Sequence, residues 1–278
     1  MTALKKFGRL PRAFDPRIPK LSLVAVTQPP LPSEINYSAG MAANLGAMLN
    51  DTLGDCTCAA VGHAIQVWSF NAGGTTITPP DADIEKLYEE AGGYVPGNPA
   101  TDNGAVIQTV LTDWLNGPVD GNQLTAFVEI DQRRPANVKR AIWESACVDI
   151  GFDVPAFMNM NPGATWDVDP SGDNTIIGGH SVILVGYQSD GTYILESWGD
   201  IYFMTPAFME QFCDEAYMLA DKSWVEGTGN TPAGLNILQL EALMQAMREP
   251  VDGPHKQHRH HRRQMKKRDL PHLQPVQR

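Results

Sequence analysis

Two apolar segments, far apart in the chain, each begin beside a side chain that can take part in nucleophilic catalysis. An alanine-rich stretch with helical spacing follows Cys56, and a stretch rich in Val, Ile and Leu, typical of a buried strand, follows His180. A thiol in the first turn of a helix experiences the positive end of the helix dipole, which favours the reactive thiolate. An imidazole nearby can accept the thiol proton. The sequence therefore contains a candidate thiolate–imidazole pair, carried by a helix and a strand.

The distribution of histidines limits the choice of base. Five of the seven histidines lie in the polar C-terminal part of the chain, which leaves His63 and His180. His63 would lie seven residues beyond Cys56 on the same helix, or about 10 Å away at 1.5 Å per residue. We therefore expect His180 to be the partner of Cys56.

Composition restricts the class of protein. With 278 residues, of which 42% are hydrophobic, the chain can bury the core of one large or two-lobed domain. No apolar run approaches the roughly 20 residues of a membrane span, and the first 20 residues lack the apolar region of a secretion signal. The four cysteines do not form the pattern of a disulfide framework. We expect a cytoplasmic protein that does not contact membranes.

The formal charge of −11 is unevenly distributed. Residues 253–278 are strongly basic and rich in histidine, whereas the rest of the chain is strongly acidic. An acidic body argues against a nucleic-acid-binding domain, although the tail is a candidate contact for polyanions or for a larger assembly. We predict an extended N-terminal arm over residues 1–30, a domain over residues 31–252 and a disordered tail over residues 253–278.

Hydrophobic periodicity predicts an α+β domain in which helices precede most of the strands. The predicted helices cover residues 56–69, 81–91, 106–115, 136–146 and 206–213. The predicted strands cover residues 124–130, 147–152, 181–187, 193–195 and 216–219. Ser189-Asp190-Gly191 is a hairpin-turn signal between two of these strands.

The candidate residues occur in an order that resembles the papain-like cysteine peptidases, as a divergent bacterial or phage-type member. The matching positions are Asn50, Gly54, Cys56, His180, Val185-Gly186-Tyr187 and Glu196-Ser197-Trp198-Gly199. The 124 residues from Cys56 to His180 are close to the roughly 130–150 of that family. The resemblance covers about residues 31–220. It implies a two-lobed fold, with a helical lobe carrying the Cys helix first and an antiparallel sheet lobe carrying the His second.

The resemblance also implies roles for the matching residues. The side chain of Asn50 and the backbone N–H of Cys56 would bind the oxyanion, and Glu196 would orient the imidazole of His180. The chain departs from the family at both supporting positions, because the family has Gln in place of Asn50 and Asn in place of Glu196. A carboxylate can still accept the imidazole N–H, as it does in serine triads. Trp198 would cover this contact or simply pack in the core.

These residues support two functional hypotheses. The first is a cofactor-independent cysteine hydrolase of peptide or amide bonds, acting on a peptide or protein; amidases and transferases share the same arrangement. The second is a catalytically silent papain-like binding or structural protein, consistent with the two departures. A metal site at Cys56, Cys58 and His63 is disfavoured, because these residues do not share one face of a helix.

Overall fold

The computed structural model describes residues 5–15, 18, 30–221 and 230. The predicted basic tail and the end of the predicted domain lie outside these residues. The described part contains a short 3-10 helix, Pro99–Thr101, and five α-helices: α1 (Cys56–Gly73), α2 (Asp81–Gly92), α3 (Ile107–Asn116), α4 (Pro135–Ser145) and α5 (Pro206–Phe212). Among the helices described, none has the length and apolar character needed to cross a membrane.

The described part also contains eight strands that form one sheet. They are β1 (Ile35–Asn36), β2 (Ala126–Glu129), β3 (Val148–Pro155), β4 (Thr165–Trp166), β5 (Ile176–Tyr187), β6 (Tyr193–Ser197), β7 (Asp200–Met204) and β8 (Cys213–Ala220). The strand order is β2-β8-β3-β5-β6-β7-β4, with β1 paired to β5. All pairs are antiparallel except β4 with β7.

The central strand β5 separates two hydrophobic clusters. Successive strand residues point to opposite faces, so Ile183 and Val185 pack with the helices α1 to α3, whereas Val182 and Leu184 pack on the other face with α4 and α5. The first cluster is the core of a helical lobe and the second is the core of a sheet lobe. The predicted α+β, two-lobed architecture, with Cys56 on the first helix, is confirmed.

Several features of the sheet differ from the prediction, and the short strands β1 and β4 were not predicted. Strand β5 begins at Ile176, so His180 lies inside the strand and not at its start. Strand β7 was not predicted at all. It is joined to β6 by a two-residue turn of Trp198 and Gly199, which have φ angles of 50° and 78°. Tight hairpin turns with two positive φ angles favour Asn-Gly, so Trp-Gly gives no sequence signal for a hairpin.

Candidate active site

Cys56 is the first residue of α1 and is almost fully buried. The backbone N–H groups of Ser181 and Gly8 lie near its sulfur and lower the thiol pKa. Burial acts more strongly in the opposite direction and raises the pKa of Cys56 to about 12. Because Ser181 directly follows His180, the thiol lies near the strand that carries the candidate base, but within the described residues no hydrogen bond joins the Cys56 sulfur to the His180 ring. In this state the thiol is protonated at neutral pH.

His180 lies fully buried on the sheet-lobe face of β5. Its Nε2 lies 2.8 Å from the hydroxyl oxygen of Ser197, and its ring stacks on Trp198 with the ring centroids 4.2 Å apart. Nδ1 has no hydrogen-bond partner among the described residues. When Nε2–H donates to Ser197, Nδ1 keeps the lone pair that would accept the thiol proton. Burial lowers the pKa of His180 well below its usual value, and the positive charge of Lys5 lowers it further.

The expected contact between Glu196 and His180 is absent. Glu196 pairs across the sheet with Ile183, so it shares the helical-lobe face, opposite to that of His180. There its Oε1 lies 2.7 Å from Nδ1 of His63 on α1, and both side chains are buried. Ser197, one residue later, points to the other face and takes the position beside the imidazole. The orienting role predicted for Glu196 is therefore corrected, and the structure assigns that contact to Ser197.

His63 forms part of a polar network inside the helical lobe. Its Nδ1 also lies 3.0 Å from Oε1 of Gln66, whose amide donates to the Leu45 carbonyl and the Thr78 hydroxyl. Burial lowers the pKa of His63, but the carboxylate of Glu196 outweighs burial and raises it overall. This network joins α1 to β6 beneath the candidate site.

The side-chain amide of Asn50, the predicted oxyanion ligand, donates to two backbone carbonyls. Its Nδ2 donates to the backbone carbonyls of Leu53 at 3.2 Å and Lys6 at 3.5 Å. The second contact comes from the N-terminal part of the chain. Asn50 is thus positioned at the site, with a peptide carbonyl already against its amide group.

Residues 5–12, which we call the cleft segment, lie in extended form between the two lobes. The Gly8 carbonyl accepts the N–H of Ala105 at 2.8 Å from the helical lobe, and the Arg9 N–H donates to the Gly179 carbonyl at 3.0 Å from the sheet lobe. Arg9 and Ala105 form a parallel bridge. A Cβ on Gly8 would lie 1.6 Å from the carbonyl oxygen of Gly54, so only glycine fits at this crossing. The segment passes directly over Cys56.

The first part of the cleft segment covers His180. The Phe7 ring lies edge-on to the His180 ring, with centroids 5.7 Å apart. Lys5 lies over the rings of Trp198 and Tyr202, with Nζ 4.4 and 4.7 Å from their centroids. Phe7 therefore helps to exclude water from the imidazole, and Lys5 places a positive charge near it.

Arg9 inserts its side chain into an acidic pocket of the sheet lobe. The guanidinium is 2% exposed and contacts Glu215, Asp214 and Asp153. The Glu215 carboxyl is completely buried and also accepts a hydrogen bond from the Tyr217 hydroxyl at 2.8 Å. Burial raises the pKa of Glu215 to about 7, although Arg9 and Tyr217 lower it.

Sequence reasoning missed Ser197 as the partner of His180 and missed the residues that bind the cleft segment. Strand alternation was the available signal for Ser197, because adjacent residues of β6 face opposite sides.

The other three cysteines, Cys58, Cys147 and Cys213, are unpaired and buried, and burial raises the pKa of each. Within the described residues, no group of three His, Cys, Asp or Glu side chains is arranged to hold a metal ion.

The fold has counterparts among solved structures. Xylellain, a cysteine protease from Xylella fastidiosa, superposes with a TM-score of 0.61 at 16% identity, covering 79% of this chain and 98% of xylellain. The fold is papain-like. Digestive procathepsin L 3 of Tenebrio molitor larval midgut superposes with a TM-score of 0.53 at 12% identity, covering 76% of this chain and 75% of that protein.

A third papain-like structure comes from a study of the mite allergens Blo t 1 and Der p 1. It has a TM-score of 0.50 at 13% identity and covers 74% of this chain and 76% of the allergen chain. No known family model matches the sequence, and no curated protein matches it. At these identities the likeness establishes the fold, so the chemistry of the site depends on the contacts described above.

Proposed function

We propose that this chain is a cysteine hydrolase of peptide or amide bonds. Cys56 is the nucleophile, His180 is the base and then the acid, and Ser197 orients the imidazole. The observation that supports this most directly is that the Cys56 sulfur lies near the backbone N–H of Ser181, while the neighbouring His180 has Nε2 beside the Ser197 hydroxyl and Nδ1 without a hydrogen-bond partner in the described part of the chain. A proton passing from the thiol to Nδ1 would give the thiolate–imidazolium pair.

The oxyanion would be bound by the backbone N–H of Cys56 and the amide of Asn50. In support, Asn50 Nδ2 already contacts a peptide carbonyl, that of Lys6 in the cleft segment. A substrate carbonyl would take the place of this group once the segment has left. Loss of one such donor typically reduces the rate about 10²–10³-fold.

The described state is a resting state. The carbonyl of Gly8, the residue nearest the Cys56 sulfur in the segment, accepts the N–H of Ala105, and it is the carbonyl of Lys6 that contacts the amide of Asn50. The segment is therefore bound without being presented for attack. Its burial of the site and the charges of Lys5 and Arg9 keep His180 neutral, which opposes formation of the ion pair. Displacement of the segment would admit both water and substrate.

The test uses the full-length chain and the double variant Phe7→Ala/Arg9→Ala, which we call the arm-weakened variant. We expect an epoxide inhibitor of cysteine peptidases to label Cys56 selectively, and at least tenfold faster in the arm-weakened variant. The same variant should cleave a mixed peptide library, and adding Cys56→Ala should abolish cleavage.

The second candidate is a catalytically silent papain-like binding protein, favoured by the engagement of Glu196 with His63 in place of His180. It predicts that all four cysteines label slowly and equally in the arm-weakened variant and that no peptide is cleaved. That result would reject the hydrolase.

A further inference from the structure

The pocket that holds Arg9 lies immediately beside the nucleophile. The backbone of Gly8 lies against Gly54 and near the Cys56 sulfur, and Arg9 is the next residue of the same extended segment. A peptide that takes the place of the cleft segment would therefore have one side chain in this pocket while its backbone passes Cys56.

The pocket is shaped by an irregularity of the sheet. In the pairing of β3 with β8, Gly151 is opposite Glu215 but Phe152 is opposite Cys213, so Asp214 is an extra residue in β8. Adjacent residues of a regular strand point to opposite faces, whereas a bulge redirects one of them. Because of the bulge, the carboxylates of Asp214 and Glu215 both reach the guanidinium of Arg9.

The carboxylates match a guanidinium better than an ammonium. Nη1 of Arg9 contacts Glu215 at 3.2 Å, and Nη2 contacts Asp214 at 3.1 Å and Asp153 at 3.3 Å. Nη1 also donates to the other oxygen of Asp214, so this carboxylate forms a bidentate contact with the guanidinium. A planar, forked group can make these contacts at once, whereas the single ammonium of lysine cannot.

The depth and width of the pocket also fit this side chain. Glu215 is fully buried, and Tyr217 fixes its second oxygen. A Cβ on Gly151 would lie 2.7 Å from both Cδ and Nη1 of Arg9, so glycine provides the space for the side chain. When the segment leaves, three carboxylates would face one another without a cation, which favours a positively charged replacement.

We propose that Glu215, Asp214 and Asp153 form an arginine-selective substrate subsite. The enzyme would cleave peptides one or two residues from an arginine side chain. The statement about cleavage rests on the hydrolase proposed above, whereas the binding of an arginine side chain does not.

The binding test uses the arm-weakened variant of the full-length chain, in which the pocket is empty. The probes are the peptide acetyl-Gly-Arg-Leu-amide, which reproduces residues 8–10, and the same peptide with citrulline, the neutral isostere of arginine. Calorimetry should show the arginine peptide binding at least roughly tenfold more tightly, as expected for charge-assisted hydrogen bonds in a buried pocket. Equal affinity for the two peptides would overturn the proposal.

Three further variants in the same background locate the pocket. Glu215→Gln removes the buried charge, so the arginine peptide should then bind no more than about threefold more tightly than the citrulline peptide. Substitution of the fully buried Glu215 can also affect folding, so a second variant is needed. Asp214 is half-exposed, and Asp214→Asn should reduce the preference partially. Glu89→Gln, an exposed acid on α2, is the matched control and should leave the preference unchanged. A preference that survives both pocket substitutions would contradict the assignment.

Cleavage of a matched pair of fluorogenic peptides, with arginine or citrulline at one position, separates the two proposals. A kcat/KM at least roughly tenfold higher for arginine supports both. Equal cleavage of the two peptides would support the hydrolase proposal and overturn the subsite proposal. Arginine-selective binding without any cleavage supports the subsite as a ligand pocket and contradicts the hydrolase.

Discussion

Oε1 of Glu196 lies 2.7 Å from Nδ1 of His63, on the face of the sheet opposite to His180. The adjacent residue, Ser197, contacts His180 from the other face. The buried pair thus joins α1 to β6, whereas Ser197 supports the candidate base, so substitutions at Glu196 and Ser197 should have separable effects.

The first prediction distinguishes these two residues. In the arm-weakened variant, Ser197→Ala should lower kcat/KM roughly 3–10-fold, because the imidazole loses one hydrogen bond that fixes its orientation. Glu196→Gln should change kcat/KM less than twofold but lower the free energy of unfolding by about 1–3 kcal/mol, because His63 loses its charged partner. Peptide cleavage and urea denaturation measure the two effects. A larger kinetic effect at Glu196 than at Ser197 would restore the role first assigned to the carboxylate.

The second prediction concerns the pH dependence of the pair between His63 and Glu196. Glu196 raises the pKa of His63 in the folded protein. The stability contributed by this histidine is therefore fully present below its unfolded pKa, near 6.5, and is lost as pH rises through the higher folded value. The reference is the double variant His63→Gln/Glu196→Gln, which removes both charges. The free energy of unfolding of the wild type, measured in urea, should exceed that of this variant by more at pH 6 than at pH 9. A difference that grows with pH would argue against a stabilising charge pair between His63 and Glu196.

The third prediction concerns the reactivity of Cys56. With a pKa of about 12, roughly one Cys56 thiol in 10,000 is ionised at pH 8, and the fraction rises about tenfold per pH unit. Iodoacetamide labelling of Cys56 in the intact chain should therefore increase steadily with pH and show no plateau below pH 10. In the arm-weakened variant water reaches the thiol, so the plateau should begin at lower pH. Because the segment also blocks access, the onset of the plateau is the informative measurement, and an identical onset in both proteins would refute the explanation.

The fourth prediction concerns the backbone at Trp198. Its φ of 50° lies in the left-handed region, which costs an L-residue about 1–2 kcal/mol and costs glycine little. Trp198→Gly and Trp198→Ala both remove the ring that stacks on His180, so their difference reports the backbone alone. The glycine variant should be about 1 kcal/mol more stable in urea denaturation.

Tyr202, in the regular strand β7, provides the control for this comparison. There the order should reverse, because glycine in a strand loses more conformational entropy than alanine does. The same order at both positions would show that the left-handed backbone of Trp198 does not determine the result.

Much of the fold could be predicted because its signals are local. The helix after Cys56 and the apolar strand around His180 are contiguous patterns, and the Asp190-Gly191 turn marks the hairpin that follows. Strand β7 was not predicted because its turn is Trp198-Gly199, which lacks the Asn-Gly or Asp-Gly signal of a tight hairpin turn.

The site was less predictable because its decisive contacts join distant residues. The motif resemblance aligned Glu196 with an orienting residue, but the register with β5 turns it toward His63 and leaves Ser197 beside His180. The contact of Arg9 with Glu215 joins opposite ends of the described chain. No local pattern indicates that a basic arm residue would enter an acidic pocket beside the nucleophile.

The bulge at Asp214 implies that the proposed charge preference of the cleft depends partly on the length of one strand. Removing this single residue would return β8 to uninterrupted alternation and leave Glu215 without its neighbouring carboxylate on that face. In the proposed subsite, loss of this one codon would leave only Glu215 and Asp153 to contact an arginine side chain, so the length of one strand would set the strength of the proposed preference.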